Sequence, residues 1–170
     1  MSFEMKILIT ESSRRIKENK EILEKKFKVK IFIKGRQVSI EGEEVDEFVG
    51  EKALEAINLG FDIETTFLLL EPDCLLEKVE IKNLTQRTNL KEVRARLIGK
   101  QGRTKQLIEE LSECYISIHD SEVGVIGQSD RIKNCIQAVT KIIQGSKQSS
   151  VYAYLERQRT IIHPSDLGLK

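Results

Sequence analysis

The chain has 170 residues, of which 39% are hydrophobic and 32% charged, enough for one domain or two small ones with packed cores and a polar surface. No apolar run approaches the roughly 20 residues that cross a bilayer, and residues 1–6 lack a signal-peptide apolar region. A cytoplasmic protein with no membrane partner is therefore expected. The net charge of +1 hides an asymmetry: residues 1–75 carry 12 basic and 16 acidic side chains, and residues 76–170 carry 16 basic and 11 acidic.

In chain order, Lys6 to Thr10 is an apolar run of strand type, and Ser12 to about Lys26 has helical spacing with Ile16, Ile22 and Leu23 inward. Val29, Ile31 and Ile33 alternate with lysines and Phe32, the period of a half-buried strand. After the Gly35-Arg36 turn, Val38 and Ile40 continue a second strand that Gly42 ends. A helix from about Val45 to Asn58 should bury Phe48, Val49, Ala53, Ala56 and Ile57 and stop at a left-handed Gly60. Asp62 is placed to cap a helix from Ile63 to Leu70, which Pro72 closes.

The second half opens with a strand in Leu75 to Leu84, followed by a helix capped by Asn89 and carrying Leu90, Val93, Leu97 and Ile98. A helix from Arg103 to Glu113 presents Leu107, Ile108 and Leu111, then come strands Tyr115 to His119 and Val123 to Ile126. A helix from Asp130 to Gln144 stops at Gly145, and a last one runs from Ser150 to about Arg159 with Val151, Tyr154 and Leu155 inward. The residues beyond it are expected to be loose.

The two halves match at an offset of 85 residues. Ile31 and Ile33 answer to Ile116 and Ile118, Val38 and Ile40 to Val123 and Val125, Gly42 to Gly127, Ala53 to Ala138, Ile57 to Ile142, and Gly60 to Gly145. One β-α-α-β-β-α unit with a trailing helix therefore occurs twice. At that offset Gly99-Lys100-Gln101-Gly102 falls opposite Arg14-Arg15-Ile16-Lys17, so the first copy has no glycine turn, and its short entry leaves no room for the helix before one.

That turn is the chemical feature of the chain. Glycine lets the backbone approach a ligand closely, and a Gly-x-x-Gly turn entering a helix offers bare N–H groups beside a positive helix end. Between Arg87 and Lys105, seven basic residues stand against Glu92 alone, which favours a polyanion. Cys74, Cys114 and Cys135 have no metal-ligand spacing and suit core positions, and His119 and His163 have no evident metal partner or triad. No nucleotide-binding loop or carboxylate constellation is present, so no enzyme activity, metal or cofactor is expected.

Leu97-Ile98-Gly99-Lys100-Gln101-Gly102-Arg103, together with Val123-Gly124-Val125-Ile126-Gly127, resembles the signature of the K-homology (KH) RNA-binding domain. A first copy without the loop, a second with it, and the Val151 to Arg159 helix are similar to the partner-of-Nob, or Dim-two, family of ribosome-assembly factors. The compact length resembles the archaeal members. The resemblance implies an α+β fold of two KH-type domains, each a three-stranded antiparallel sheet packed on helices: 1–73 degenerate, 74–160 RNA-binding, and 161–170 a flexible tail. It implies binding of single-stranded ribosomal RNA near the 3′ end of the small-subunit RNA, on the pre-small-subunit ribosome, beside a Nob-type endonuclease that does the cutting.

KH loops clamp the backbone of about four nucleotides. The expected contacts are the N–H groups of Gly99 to Arg103, the outward Lys100 and Gln101, and the charges of Arg94, Arg96, Arg103 and Lys105. Leu97, Ile98, Leu107 and the strand Tyr115, Ile116, Ser117 and Ile118 would form the base groove. Leu97, Leu107 and Ile116 fit plain core as well, Leu107 best of the three. Arg157 and Arg159 fit a solvated face or an RNA contact, and Tyr152 and Tyr154 fit packing of the last helix. Two other readings remain: a general KH-type RNA-processing cofactor, and a protein–protein scaffold using the acidic first domain.

Overall fold

The computed structural model describes residues 6–162. The chain divides into two compact units, Met1–Pro72 and Asp73–Lys170. The fold is α+β, with one three-stranded antiparallel sheet in each unit.

In the first unit, β1 (Ile7–Ile9) leads to α1 (Ser13–Glu18) and α2 (Lys20–Phe27), then β2 (Lys30–Lys34), β3 (Gln37–Glu41) and α3 (Glu44–Asn58). A one-turn α4 (Ile63–Thr66) and a 3-10 turn (Phe67–Leu70) finish it. The strand order is β1-β3-β2. The alternation of β2 and β3 puts Ile31, Val38 and Ile40 against the helices, where Ile16, Leu23, Ala53 and Ile57 meet them as buried core.

The second unit begins with β4 (Cys74–Glu80), a one-turn α5 (Ile81–Leu84) and α6 (Leu90–Ile98), which Asn89 caps by accepting from the Glu92 N–H at 3.3 Å. A 3-10 turn (Lys100–Gly102) enters α7 (Arg103–Ser112), followed by β5 (Tyr115–His119), β6 (Glu122–Gln128), α8 (Ser129–Ile143) and α9 (Gln148–Ile162). The order β4-β6-β5 repeats that of the first sheet, and β5 is an edge strand. Ile81, Val93, Leu97, Ile108, Ile116, Val125, Val139 and Ile142 belong to one buried cluster with Val151 and Leu155 of α9. Tyr154 packs α9 on α8, donating to Gln137 Oε1 at 2.7 Å while Lys141 Nζ lies 3.8 Å from its ring centre.

The paired glycines have one physical reason. Lys28 and Glu113 end α2 and α7 in the left-handed region, with φ of 56° each. That turn drives the next residue against the sheet. A Cβ on Gly42 would stand 3.0 Å from Val29 Cγ1, and one on Gly127 would overlap Cys114 Sγ. All three cysteines are buried, and no disulfide joins them. Cys114 and Cys135 share a hydrogen bond that draws the Cys114 thiol below its ordinary pKa and, with burial, pushes Cys135 well above its own.

Several expectations are corrected. The helix expected over 12–26 breaks at Asn19 into α1 and α2, and Ile22 faces solvent. The strand expected to reach Leu84 ends at Glu80, because Ile81 turns into the core as α5 starts. Phe48, expected inside, is 58% exposed. Asp62 stands at the start of α4 without a side-chain cap bond. The last helix runs through the first two residues of the expected tail to Ile162, and the rest of that tail, 163–170, lies outside the described residues.

The largest correction concerns the repeat. A helix does precede the missing loop: α1 occupies that place. Arg15 donates to the carbonyl of Ile57 (3.3 Å) in the last turn of α3 and to that of Phe61 (2.9 Å) just beyond it. Arg96 donates to the carbonyl of Ile142 (3.3 Å) in the last turn of α8 and to that of Ser146 (3.0 Å) just beyond it. The acceptors keep the offset of 85 and the arginines differ by 81, as do the fully buried Ile16 and Leu97. The first unit therefore lacks the four residues that correspond to Gly99–Gly102, between Lys17 and Glu18, and keeps a short form of the helix before them.

Candidate nucleic-acid interface

The loop is built by opposed backbone conformations. Gly99 leaves α6 at φ 76°, ψ 173°, and Gln101 and Gly102 are both left-handed, at φ 55° and 75°. The chain thus reverses within four residues and enters α7 directly. Gly99 also faces Thr104 so closely that an added Cβ would overlap Thr104 Oγ1, whereas a Cβ on Gly102 would meet nothing within 4 Å. The buried Thr104 is braced from behind: Gln148 Nε2, at the start of α9, reaches Thr104 Oγ1 at 3.2 Å and the Arg96 carbonyl at 3.4 Å.

Not all of the expected N–H donors are available. The Gly99 N–H donates to the Ala95 carbonyl (2.8 Å), that of Gly102 to Gly99 (3.2 Å), and that of Arg103 to Lys100. Lys100 and Gln101 remain at the tip with exposed side chains, and Arg103 is exposed beside them. The basic cluster also separates. Arg94 is turned onto the Asp120 carbonyl at 2.9 Å, Arg96 is fixed on α8 as described, and Lys105 pairs with Glu109 at 3.2 Å. Arg94 and Arg96 therefore bring charge to the second unit from guanidinium groups already bonded to main-chain carbonyls.

The expected base groove divides in the same way. Leu97 and Ile116 are core residues. Ile98, at the end of α6, is exposed, and Leu107 is half-buried rather than the core residue it best fitted. Successive side chains of a strand point to opposite faces. Tyr115 and Ser117 therefore lie on the face of β5 away from Ile116 and Ile118, and the four cannot line one groove. Sequence reasoning also missed Glu109, which accepts from the Ile116 N–H at 2.9 Å on the free edge of β5. Its signal was the spacing of Lys105 and Glu109 on one helix face, which recurs as Lys20 and Glu24 at the offset of 85.

No helix among the described residues is long and apolar enough to cross a membrane, and no group of side chains among them could hold a metal ion.

Comparison with known proteins agrees with this geometry. Residues 75–160 match a family model named for the second KH domain of PNO1 and described as a eukaryotic-type KH domain (KH-domain type I). A pre-rRNA-processing protein pno1 of Emericella nidulans is 31% identical over 141 residues, 78% of this chain and 55% of that protein. A KH domain-containing protein of Methanocaldococcus jannaschii is 28% identical over 107 residues, 62% of this chain and 47% of that one. The chain thus spans about half the length of these relatives. Among solved structures, Dim2p of Pyrococcus horikoshii is 31% identical with a TM-score of 0.82, over 91% of this chain and 99% of that one. The a/eIF2alpha–aDim2p–rRNA complex of the same organism contains a chain 30% identical with a TM-score of 0.84, over 93% of this chain and 95% of that one.

Proposed function

Because this chain belongs to the PNO1/Dim2 family of KH-domain pre-rRNA-processing proteins, we propose that it binds single-stranded ribosomal RNA through the loop of its second unit and assists precursor processing without cutting. The observation that carries the reading is the loop itself. Gly99 and the left-handed Gln101 and Gly102 turn the backbone outward, with Lys100 and Gln101 exposed at the tip beside the N-terminus of a ten-residue helix. The N–H groups of Lys100 and Gln101 and the ammonium of Lys100 would meet phosphates, and Arg103 would add charge. Ile98 and Leu107 would receive bases along α6 and α7.

In this reading the chain is a tandem of KH-type domains, 1–73 and 74–160, of which the second grips RNA. The RNA is the 3′ region of the small-subunit precursor, and the partner that cleaves it is a Nob-type endonuclease. The Pyrococcus horikoshii complex, which includes rRNA, supports the ligand class. The test is a fluorescence titration of the full chain with single-stranded RNA from that region at several salt concentrations. A clamp on two to four phosphates predicts a log–log slope of roughly −1.5 to −3. A slope near zero would refute it. For the processing role, precursor cleavage by the purified nuclease should fall when this protein is withheld.

One observation favours a further, protein-facing role for the first unit. Val45 is 74% exposed and Phe48 58% exposed, among Glu44, Glu47 and Glu51. An acidic, apolar surface of this kind faces protein more readily than RNA. Partners captured by the full chain after ribonuclease treatment, and lost with Phe48→Asp, would support it.

A further inference from the structure

Glu109 stands where the loop's mechanism makes no use of it. In an antiparallel ladder the N–H and C=O of one residue point to the same side. The Ile116 N–H is bonded to Glu109 Oε1 rather than to β6, so the Ile116 carbonyl also faces the open edge of β5. Glu109 Oε1 holds Lys105 Nζ as well, at 3.2 Å. Its second oxygen, Oε2, has no hydrogen-bond partner among the described residues. The one donor that this edge would offer at Ile116 is therefore covered, and a free carboxylate oxygen stands in its place next to a free carbonyl.

The helix pair alone does not bring this about. In the first unit Lys20 and Glu24 occupy the same positions 3.7 Å apart, and no hydrogen bond joins Glu24 to the Ile31 N–H. Only in the unit that carries the loop does the carboxylate seat on the strand. Lys105 keeps that carboxylate locally compensated, which lets a negative group remain beside a bound phosphate chain.

We propose that Glu109 is a specificity-determining residue for RNA: Oε2 and the Ile116 carbonyl form an acceptor-only position that takes a base presenting an exocyclic amine and disfavours uracil. Cytosine and adenine each bring an amine donor on the edge that carries C4 or C6. Uracil would turn its O4 toward the two protein acceptors and could offer them only the single N3–H, one position along the ring. The inference rests on the second unit binding single-stranded RNA, and the experiment separates the two claims.

Fluorescence anisotropy would compare oligo(C) and oligo(U), both single-ring pyrimidines, on the full chain, on Glu109→Gln, on Glu109→Ala, and on the double variant Lys100→Asp with Gln101→Asp. The wild-type chain should prefer oligo(C) by about three- to tenfold, the scale of one hydrogen bond. Glu109→Gln, which keeps an oxygen for the Ile116 N–H and turns an amide N–H outward, should erase or invert that preference. Replacing cytosine by 2-pyrimidinone, which lacks the amine, should weaken the wild-type complex by the same factor and Glu109→Ala by less, since only the Ile116 carbonyl would then take the amine, a graded result that misfolding of a variant cannot imitate. An unchanged C-to-U ratio in both Glu109 variants, with binding still lost in the loop double variant, would overturn the role of Glu109 alone. Absence of binding by the wild-type chain to any oligomer would overturn the RNA reading with it.

Discussion

Gly99 and Gly102 frame the same loop for different reasons, and substitution should tell them apart. Gly99→Ala adds a backbone strain of about 1–3 kcal/mol, since φ 76° with ψ 173° is confined to glycine, and a collision with Thr104, which overpacking data place at about 1–3 kcal/mol more. Gly102→Ala carries only a left-handed strain of about 1–2 kcal/mol, since its Cβ would point into open space. Thermal denaturation should therefore show Gly99→Ala well below Gly102→Ala. Lys100→Asp with Gln101→Asp should abolish RNA binding in a titration while the melting temperature barely moves, because both side chains are exposed. A matched control places Asp at Lys17, which is exposed. Arg15, which lies opposite the loop at the offset of 85, is unsuitable, since its guanidinium holds the carbonyls of Ile57 and Phe61. The glycines were legible in the sequence because their spacing is local. The commitments of Arg94, Arg96 and Glu109 were not, because each partner lies on another element.

At the scale of elements, the paired arginines are the common device of both units. Each sits in the last turn of the first helix of its pair and ties that helix to the end of α3 or α8. Removing one leaves carbonyls at a helix C-terminus without their charged donor, at a cost of about 1–3 kcal/mol. Arg96→Ala should lower the melting temperature and leave the salt slope of RNA binding unchanged. A phosphate-binding Arg96 would give the opposite pattern, a stable fold and a slope reduced by about 0.7. The long elements α3 and α8 and the alternating strands β2, β3 and β5 were readable from period alone, and β6, buried throughout its middle, as a short apolar run. The break between α1 and α2 at Asn19 was not, because α1 is shorter than two turns and Ile16 is its one buried side chain. Phe48 was misplaced for a related reason: Ala53, Leu54, Ala56 and Ile57 already supply α3 with its buried face, and an apolar residue nearer the start of the helix adds nothing to the pattern.

Across the whole molecule, the duplicated frame is separable from the chemistry placed on it. The first unit lacks the loop, but its surroundings differ too: where the second unit has Arg103 and Lys105 after the loop, the first has Glu18 and Lys20, with Glu21 following. Inserting Gly-Lys-Gln-Gly between Lys17 and Glu18 restores the missing length at a junction whose flanking side chains are exposed, the kind of site that tolerates insertion. Combined with Lys100→Asp and Gln101→Asp, the insertion should give a folded chain that still fails to bind RNA, because a phosphate at the new loop meets Glu18 and a half of the chain with net charge −4. Recovery of affinity to within tenfold of the wild-type chain would show that the four residues suffice and that local charge is secondary. Recovery only after Glu18→Arg would divide the grip between backbone shape and the first residue of the following helix.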